Sequence, residues 1–210
     1  MAQKTLIFDF DGTLADTFYI AVGVFRKLAH TWHQTDDNAV ERLRSLPARE
    51  ALKSLGVRWW HMPLIAYHGR KAIHQQRDKV QAFAGIQEML AELHKRGYRL
   101  FIVSSNSNKN IEHFLHNNKL GEYFDGYHGG IGAFDKAKAL TMVVRRNALN
   151  IKDCYYIGDE VRDIDAATKA GMQYVTVAWG YNNIGALRKA KAVTIIERPK
   201  QLLTLFPAKG

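Results

Sequence analysis

The chain has 210 residues, of which 47% are hydrophobic and 24% charged, and this composition excludes a disordered, collagen-like or coiled-coil protein. Its single cysteine excludes an internal disulfide framework, and no apolar run approaches the ~18 residues that a membrane span needs. The N-terminal residues are typical of a strand rather than a signal peptide, so we expect a cytoplasmic protein that does not contact membranes.

The net charge is strongly positive. Thirty Lys and Arg residues against twenty Asp and Glu residues give a formal charge of +10, which favours anionic partners. The basic residues are spread along the chain and form no block of the ~5–8 residues typical of a nucleic-acid patch. We therefore interpret the charge first as general solvated basicity, next as a field that attracts a small phosphorylated metabolite, and last as a nucleic-acid surface.

The first apolar run, residues 5–10, predicts a buried strand. Residues 16–81, which follow it, are rich in helix-forming and aromatic residues and contain no convincing strand. A segment of this length exceeds an ordinary connection between a strand and a helix, so we interpret it as an all-helical insert.

From about residue 82 onward, predicted strands and helices alternate. Strands are expected at 100–104, 155–157, 174–178 and 193–196, with a weak one at 123–128, and helices at 86–94, 111–118, 138–149 and 163–170. This alternation predicts a Rossmann-like α/β core, in which helices cover both faces of a parallel sheet. The predicted core comprises residues 1–15 and 82–210, and the small helical domain comprises residues 16–81.

The segment Asp9-Phe10-Asp11-Gly12-Thr13 closes the first predicted strand. Residues two apart in a strand face the same side, so the carboxylates of Asp9 and Asp11 converge at the strand's carboxyl end, where α/β sheets bind ligands. Unpaired like charges at that distance repel, and Mg²⁺ is the cation that favours carboxylate and phosphate oxygens together. The alternative is a simple Asx turn or helix cap.

A second acidic segment follows the predicted strand at 155–157. Asp159 lies in the turn after that strand, and Asp163 enters the next helix. Asp159 is either a further metal ligand or a helix cap. Asp163 is a ligand, a partner of a ligand, or only a favourable acid at a helix N-terminus.

Two further positions suggest phosphate binding. Ser104-Ser105-Asn106 ends the strand at 100–104, and hydroxyls with turn amides can hold phosphate oxygens, although such clusters commonly cap helices. Lys136 stands at a predicted helix start, where a cation opposes the helix dipole, so a charge-neutralising role is favoured over a structural one. Lys138 is the rival position for this role.

These four segments, in this order and spacing, resemble the motifs of the haloacid dehalogenase superfamily of phosphohydrolases. The resemblance covers residues 3–15 and 82–206, and the insert at 16–81 resembles the helical cap that members carry after the first motif. Segments 83–85 and 179–181, together with the second acidic segment, are similar to the phosphoglycolate-phosphatase-like branch.

The resemblance implies a Mg²⁺-dependent phosphatase that acts on a small phosphomonoester, phosphoglycolate-like or a sugar phosphate. Asp9 would be the nucleophile that forms an aspartyl phosphate, and Asp11 the general acid and base. Mg²⁺ would be held by Asp9, the backbone of Asp11, and Asp159, with Asp163 and Thr13 supporting these ligands.

The resemblance also implies that Ser104 and Ser105 bind the substrate phosphate and that Lys136 is the lysine of the third motif. The sequence departs from the family pattern here, because the frequent Lys-Pro pair of that motif is Lys136-Ala137.

Three other functions remain open at this point. A phosphomutase-type phosphotransferase uses the same residues and differs in how the cap excludes water. A receiver-like module, phosphorylated by a partner and without enzymatic activity, also clusters Asp residues near Lys and Mg²⁺, but the large insert after the first strand counts against it. A protein that binds nucleic acid, or a phosphatase of nucleic-acid ends, rests on the positive charge alone.

Overall fold

A computed structural model of the chain describes residues 4–28, 37–54, 56–132 and 135–208. The described strands form one parallel sheet in the order β3-β2-β1-β4-β5-β6. They are β1 (Thr5–Phe8), β2 (Arg99–Val103), β3 (Gly126–His128), β4 (Cys154–Gly158), β5 (Gln173–Val177) and β6 (Ile195–Ile196). Each predicted strand is present, including the weak one.

The central strand β1 is buried on both faces of the sheet. Its residues alternate between two hydrophobic clusters, with Leu6 and Phe8 in one and Ile7 in the other. This alternation follows from the two-residue period of a strand. A continuously apolar sequence is therefore what a central parallel strand requires.

Helices cover both faces of the sheet. The core helices are α5 (Ile86–Lys95), α6 (Asn108–Asn117), α7 (Lys136–Arg146), α8 (Val161–Ala170), α9 (Ile184–Lys189) and α10 (Leu202–Leu205). Apolar side chains of α5 and α6 join the cluster of Leu6, and those of α7 and α8 join the cluster of Ile7. This arrangement confirms the predicted Rossmann-like core.

The helix predicted at 138–149 is shifted in the structure. Helix α7 begins at Lys136 and ends at Arg146, and Ala148 adopts a positive φ of 50° in the turn that follows. A left-handed residue ends a helix, so the apolar Leu149 belongs to the connection that leads to β4.

Within residues 16–81, the regular elements of the described ranges are all helices, which is consistent with the predicted helical insert. The helices are α1 (Phe18–Leu28), α2 (Asp37–Arg44), α3 (Ala48–Ser54) and α4 (Met62–Gln75), with two short 3₁₀ turns. No helix in the described ranges has the length and apolar character needed to cross a membrane.

The chain leaves and re-enters the core through two paired segments. Ala15 and Ala82 form an antiparallel bridge, and backbone hydrogen bonds join Asp16 N to Gln81 O (2.9 Å) and Phe83 N to Leu14 O (3.1 Å). The helical segment is therefore attached by a two-stranded joint that begins only a few residues after Asp11.

Candidate active site

Three strand ends meet at one edge of the sheet. In the parallel register, Phe8 of β1 lies beside Ile102 of β2 and Ile157 of β4. The residues that follow these positions therefore converge, as expected for an α/β sheet. The structure brings together Asp9 and Asp11 after β1, the Ser104 loop after β2 and Asp159 after β4.

Lys136 forms a buried ion pair with two carboxylates. Its ammonium donates hydrogen bonds to Asp9 Oδ2 (2.6 Å) and to Asp163 Oδ1 (2.7 Å). All three side chains are at most 8% exposed. Lys138, the rival position, is 88% exposed and lies 3.6 Å from Asp135 instead. The first residue of α7 thus reaches the end of β1, and its neighbour does not.

The pKa values in this cluster reflect burial and mutual charge. Burial lowers the pKa of Lys136, but the charges of Asp163 and Asp9 outweigh burial and raise it well above its usual value. Burial raises the pKa of Asp9 to about 6, although Lys136 opposes this shift. A positive charge is therefore fixed beside Asp9 at neutral pH.

Asp159 is held in a crowded turn. Its Oδ1 accepts a hydrogen bond from Thr13 Oγ1 (2.8 Å), and its Oδ2 accepts one from the backbone N–H of Tyr181 (2.7 Å). A side chain at Gly12 or at Gly180 would overlap the Asp159 carboxylate, and Gly12 also has a φ of +78°. Glycine is required at both positions because the two loops close around this carboxylate.

Three of these carboxylates form a candidate cation site. One oxygen atom from each of Asp9, Asp159 and Asp163 lies within 4.8 Å of the other two. Burial, followed by the charges of Glu160, Asp163 and Asp9, raises the pKa of Asp159 well above its usual value. Buried carboxylates in excess of the nearby cations make a donor set that suits a hard divalent ion, so these residues fit Mg²⁺. The geometry thus includes Asp163 in the cluster, and the Asp11 carboxylate is absent from it.

The Asp11 carboxylate instead faces the start of the helical segment. Its Oδ1 accepts hydrogen bonds from Thr17 Oγ1 and Asn106 Nδ2, both at 3.0 Å, and Asn106 Nδ2 also lies 3.0 Å from Oδ2. Burial, and next the charge of Asp9, raises the pKa of Asp11 to about 7. A carboxyl group with this pKa can give up and regain a proton near neutral pH.

The two predicted phosphate-binding serines occupy different surroundings. Ser104 is buried, and its Oγ accepts a hydrogen bond from the backbone N–H of Asn106 (3.1 Å). Ser105 is half-buried, and its carbonyl oxygen accepts a hydrogen bond from Arg70 of α4 (3.2 Å). The loop after β2 therefore lies between the core site and the helical segment.

Several residues that contact the site were not identified in the sequence as functional. Asn106 and Thr17 bind the Asp11 carboxylate, and the Tyr181 hydroxyl lies 3.0 Å from Thr17 Oγ1. Asn106 belongs to the predicted phosphate-binding segment Ser104-Ser105-Asn106, but its bond to Asp11 was not predicted. Thr17 and Tyr181 are 164 residues apart, so only the folded chain brings them together.

Known proteins match most of this chain in sequence. Residues 6–177 match the haloacid dehalogenase-like hydrolase family. A phosphoglycolate phosphatase of Synechococcus elongatus is 31% identical over 203 residues, which cover 96% of each chain. A pyrophosphatase, PpaX, of Bacillus mycoides is 24% identical over 217 residues, which cover 98% of each chain.

Solved structures show the same fold. A haloacid dehalogenase-like family hydrolase of Streptococcus pneumoniae superimposes with a TM-score of 0.78 at 20% identity, covering 98% of this chain and 99% of that one. A hydrolase of Pseudomonas syringae gives a TM-score of 0.71 at 23% identity and covers 97% of both chains.

Proposed function

The chain belongs to the haloacid dehalogenase-like hydrolase family, and we propose that it is a Mg²⁺-dependent phosphatase that hydrolyses a small phosphomonoester through an aspartyl phosphate on Asp9. The observation that carries the proposal is the buried Asp9–Lys136 pair at the end of β1, with Asp159 and Asp163 within reach of one cation. The resemblance implies a phosphoglycolate-like or sugar phosphate substrate, and the name of the 31% identical relative supports the first of these two.

In the first step, a carboxylate oxygen of Asp9 attacks phosphorus, and the bond from phosphorus to the leaving oxygen breaks. The position of Asp9 supports this role, because the backbone N–H of Phe10 (2.8 Å) and the Lys136 ammonium (2.6 Å) hold one oxygen each. A fixed nucleophile lowers the entropic cost of reaching the reactive geometry. Two steps through a covalent intermediate then replace one difficult displacement.

Asp11 is proposed to move the protons. In its protonated form it donates to the leaving alkoxide. In the second step it takes a proton from the water that attacks the aspartyl phosphate, while the bond from phosphorus to Asp9 breaks and inorganic phosphate leaves. A pKa of about 7 suits both roles, since each form is well populated at neutral pH. The hydrogen bonds from Thr17 and Asn106 orient the carboxyl group.

The charge on the transferring phosphoryl group requires positive partners. We assign Lys136 and the Ser104 hydroxyl to its oxygens, with Ser105 contributing from the same loop. Mg²⁺, held by Asp9, Asp159 and the backbone of Asp11, with Asp163 adjoining, would neutralise further charge on the phosphoryl oxygens. Thr13 supports the Asp159 carboxylate through its 2.8 Å hydrogen bond.

Residues 16–81 are proposed to act as a cap domain, with residues 1–15 and 82–210 as the catalytic core. The two-stranded joint of Ala15 and Ala82 supports this division, because motion at the joint would move α1 over the site. Helix α1 carries no catalytic group of the proposed mechanism, so this motion would leave the catalytic residues in place. A closing cap shields the aspartyl phosphate until water is admitted.

Replacing Asp9 with Asn tests the nucleophile. We expect the variant to fold, and its turnover of p-nitrophenyl phosphate in Mg²⁺ to fall by at least about 10³-fold, because an amide cannot form the phosphoenzyme. Chelation by EDTA should abolish wild-type turnover, and added Mg²⁺ should restore it. Steady-state release of phosphate is the measurement.

The matched control is Asp165→Asn, which alters an exposed carboxylate of α8 and should leave turnover near wild type. Substantial activity in a pure Asp9→Asn preparation would refute the nucleophile. If the wild-type chain instead incorporated one phosphate per chain and showed no turnover, a receiver-like module would be favoured.

A further inference from the structure

A cavity of about 200 Å³ opens beside Asp11, on the side where the leaving group of a substrate would lie. Its walls come from two sources. The core contributes polar side chains, among them Asn106 and Tyr181. The helical segment contributes mostly apolar side chains from all four of its helices, including Val22, Leu43, Leu52, Ile65 and Ala66. The cavity thus has a polar end at the proposed catalytic site and an apolar body within the cap.

Each arginine of the cavity has at least one hydrogen-bond partner. Arg162 is paired with Glu160, which also lines the cavity, at hydrogen-bond distance. Arg44 is paired with Glu41 (3.2 Å) and donates to the carbonyl oxygen of Gly180 (2.8 Å).

Arg70, the third arginine of the cavity, donates to the Ser105 carbonyl, which places its charge beside the proposed phosphate loop. Arg44 and Arg70 both bond to core residues, and Arg162 belongs to the core, so the cations of the cavity lie at its polar end. A second anionic group that extended into the apolar body of the cavity would leave these cations behind, at a cost in desolvation.

We propose that the substrate is a phosphomonoester whose organic part is apolar, with about the bulk of a benzene ring or a six-carbon chain. The size follows because a dry apolar cavity of ~150 Å³ in a protein accommodates benzene. This inference rests on the proposed phosphatase function and specifies its substrate class. It predicts that phosphoglycolate and sugar phosphates, which the resemblance implies as substrates, are the poorer ones.

One polar detail limits the organic part further. The Nε of Arg44 is buried and has no hydrogen-bond acceptor within the described residues. Because the guanidinium already pairs with Glu41 (3.2 Å) through another nitrogen, a single oxygen acceptor on the substrate would satisfy the Nε donor. A hydroxyl, ether or carbonyl oxygen on an otherwise apolar body meets this requirement.

The test is a homologous series of n-alkyl phosphates, from methyl to hexyl, with kcat/KM measured in Mg²⁺. Alkyl leaving groups differ little in intrinsic reactivity, so the series reports on the cavity alone. We expect kcat/KM to rise roughly two- to fourfold for each added methylene, as apolar burial dictates. Hexyl phosphate should exceed a hexose phosphate and phosphoglycolate by at least about tenfold.

A cavity-filling variant tests whether the dependence of kcat/KM on alkyl chain length arises in this cavity. Ala66→Leu should reduce kcat/KM for hexyl phosphate by about tenfold and for methyl phosphate far less, because the added side chain occupies space that only the long chain needs. Ala72→Leu is the matched control, since Ala72 lies on the same helix but not on the cavity wall, and it should preserve the wild-type series.

The outcomes separate this inference from the phosphatase itself. Mg²⁺-dependent turnover with a flat or falling alkyl series, or with phosphoglycolate preferred, would overturn the apolar substrate and leave the proposed function intact. Loss of the trend in the Ala72→Leu control as well as in Ala66→Leu would also overturn the assignment to this cavity. Absence of turnover on every phosphomonoester would refute the proposed function.

Discussion

The α/β core and the helical segment of residues 16–81 are built on different principles. In the core, buried charged groups are bound on several sides, as Lys136 is by Asp9 and Asp163. The described part of the helical segment buries few side chains, and its own small cluster contains only Val22 and Val40 as fully buried members. Much of its inner surface borders a cavity instead of packed atoms.

Under the proposed function, this difference assigns the chemistry to the core and the substrate selectivity to the helical segment. Reaction steps need charges fixed in place, and a network of paired, buried groups gives that rigidity. Substrate choice needs space of a given shape and polarity, which an incompletely filled helical segment provides. The core and the helical segment meet at Asp11. Its carboxylate accepts one hydrogen bond from Thr17, just before α1, and another from Asn106 in the core.

The largest effect is expected where a core charge loses its partner. Lys136→Met leaves Asp9 and Asp163 buried without their cation, so we expect kcat to fall by about 10³-fold or more and the free energy of unfolding to drop by about 3–5 kcal/mol. Lys138→Met, two residues further on, is the control and should change neither quantity appreciably. Steady-state kinetics and urea denaturation measure both; equal losses in the two variants would contradict the assignment of Lys136.

The pH dependence of the free energy of unfolding should reveal the raised pKa of the Asp11 carboxyl group. The pKa of Asp11 is raised to about 7, so the metal-free folded protein keeps a proton that the unfolded chain releases near pH 4. The folded state therefore binds more protons across this window. As a result, the stability contribution is full below about pH 4 and is lost as pH rises to 7.

The Asp11→Asn variant should lack this loss of folding stability between pH 4 and pH 7. We expect its free energy of unfolding in EDTA to decline less between pH 4 and pH 7 than that of wild type, with a difference on the order of a few kcal/mol at pH 7. Asp16→Asn, at an exposed neighbouring position, should follow the wild-type curve. Parallel curves for Asp11→Asn and wild type would show that the Asp11 carboxyl is not perturbed in this way.

A pair of matched truncations compares the packing of the two regions directly. Leu140 on α7 and Leu52 on α3 are both at most 2% exposed, but Leu52 borders the cavity. Leu140→Ala should lower the free energy of unfolding by about 2–5 kcal/mol. The loss for Leu52→Ala should be about 1–2 kcal/mol smaller, because fewer atoms surround Leu52 and lose contacts. Chemical denaturation measures the costs, and a larger cost for Leu52→Ala would show that the helical segment is packed as tightly as the core.

The sequence by itself determined the core and the residues at its strand ends. A continuous apolar run can be buried on both faces only as a central parallel strand, and acidic residues directly after such runs must then share one edge of the sheet. That reasoning located Asp9, Asp11 and Asp159 without coordinates. It also favoured Lys136 over Lys138 for the charge-neutralising position, because a cation at a helix start opposes the helix dipole.

Only the tertiary structure decided which groups touch and what the helical segment encloses. Asp163 could have been a ligand, a partner of a ligand or a helix acid, and its hydrogen bond to Lys136 depends on how α7 and α8 pack together. The cavity has no sequence signature, because its wall comes from separate helices whose apolar residues look the same whether they meet each other or leave a space. Period and spacing specify which face of a helix is apolar, whereas the gap between faces is a property of their packing.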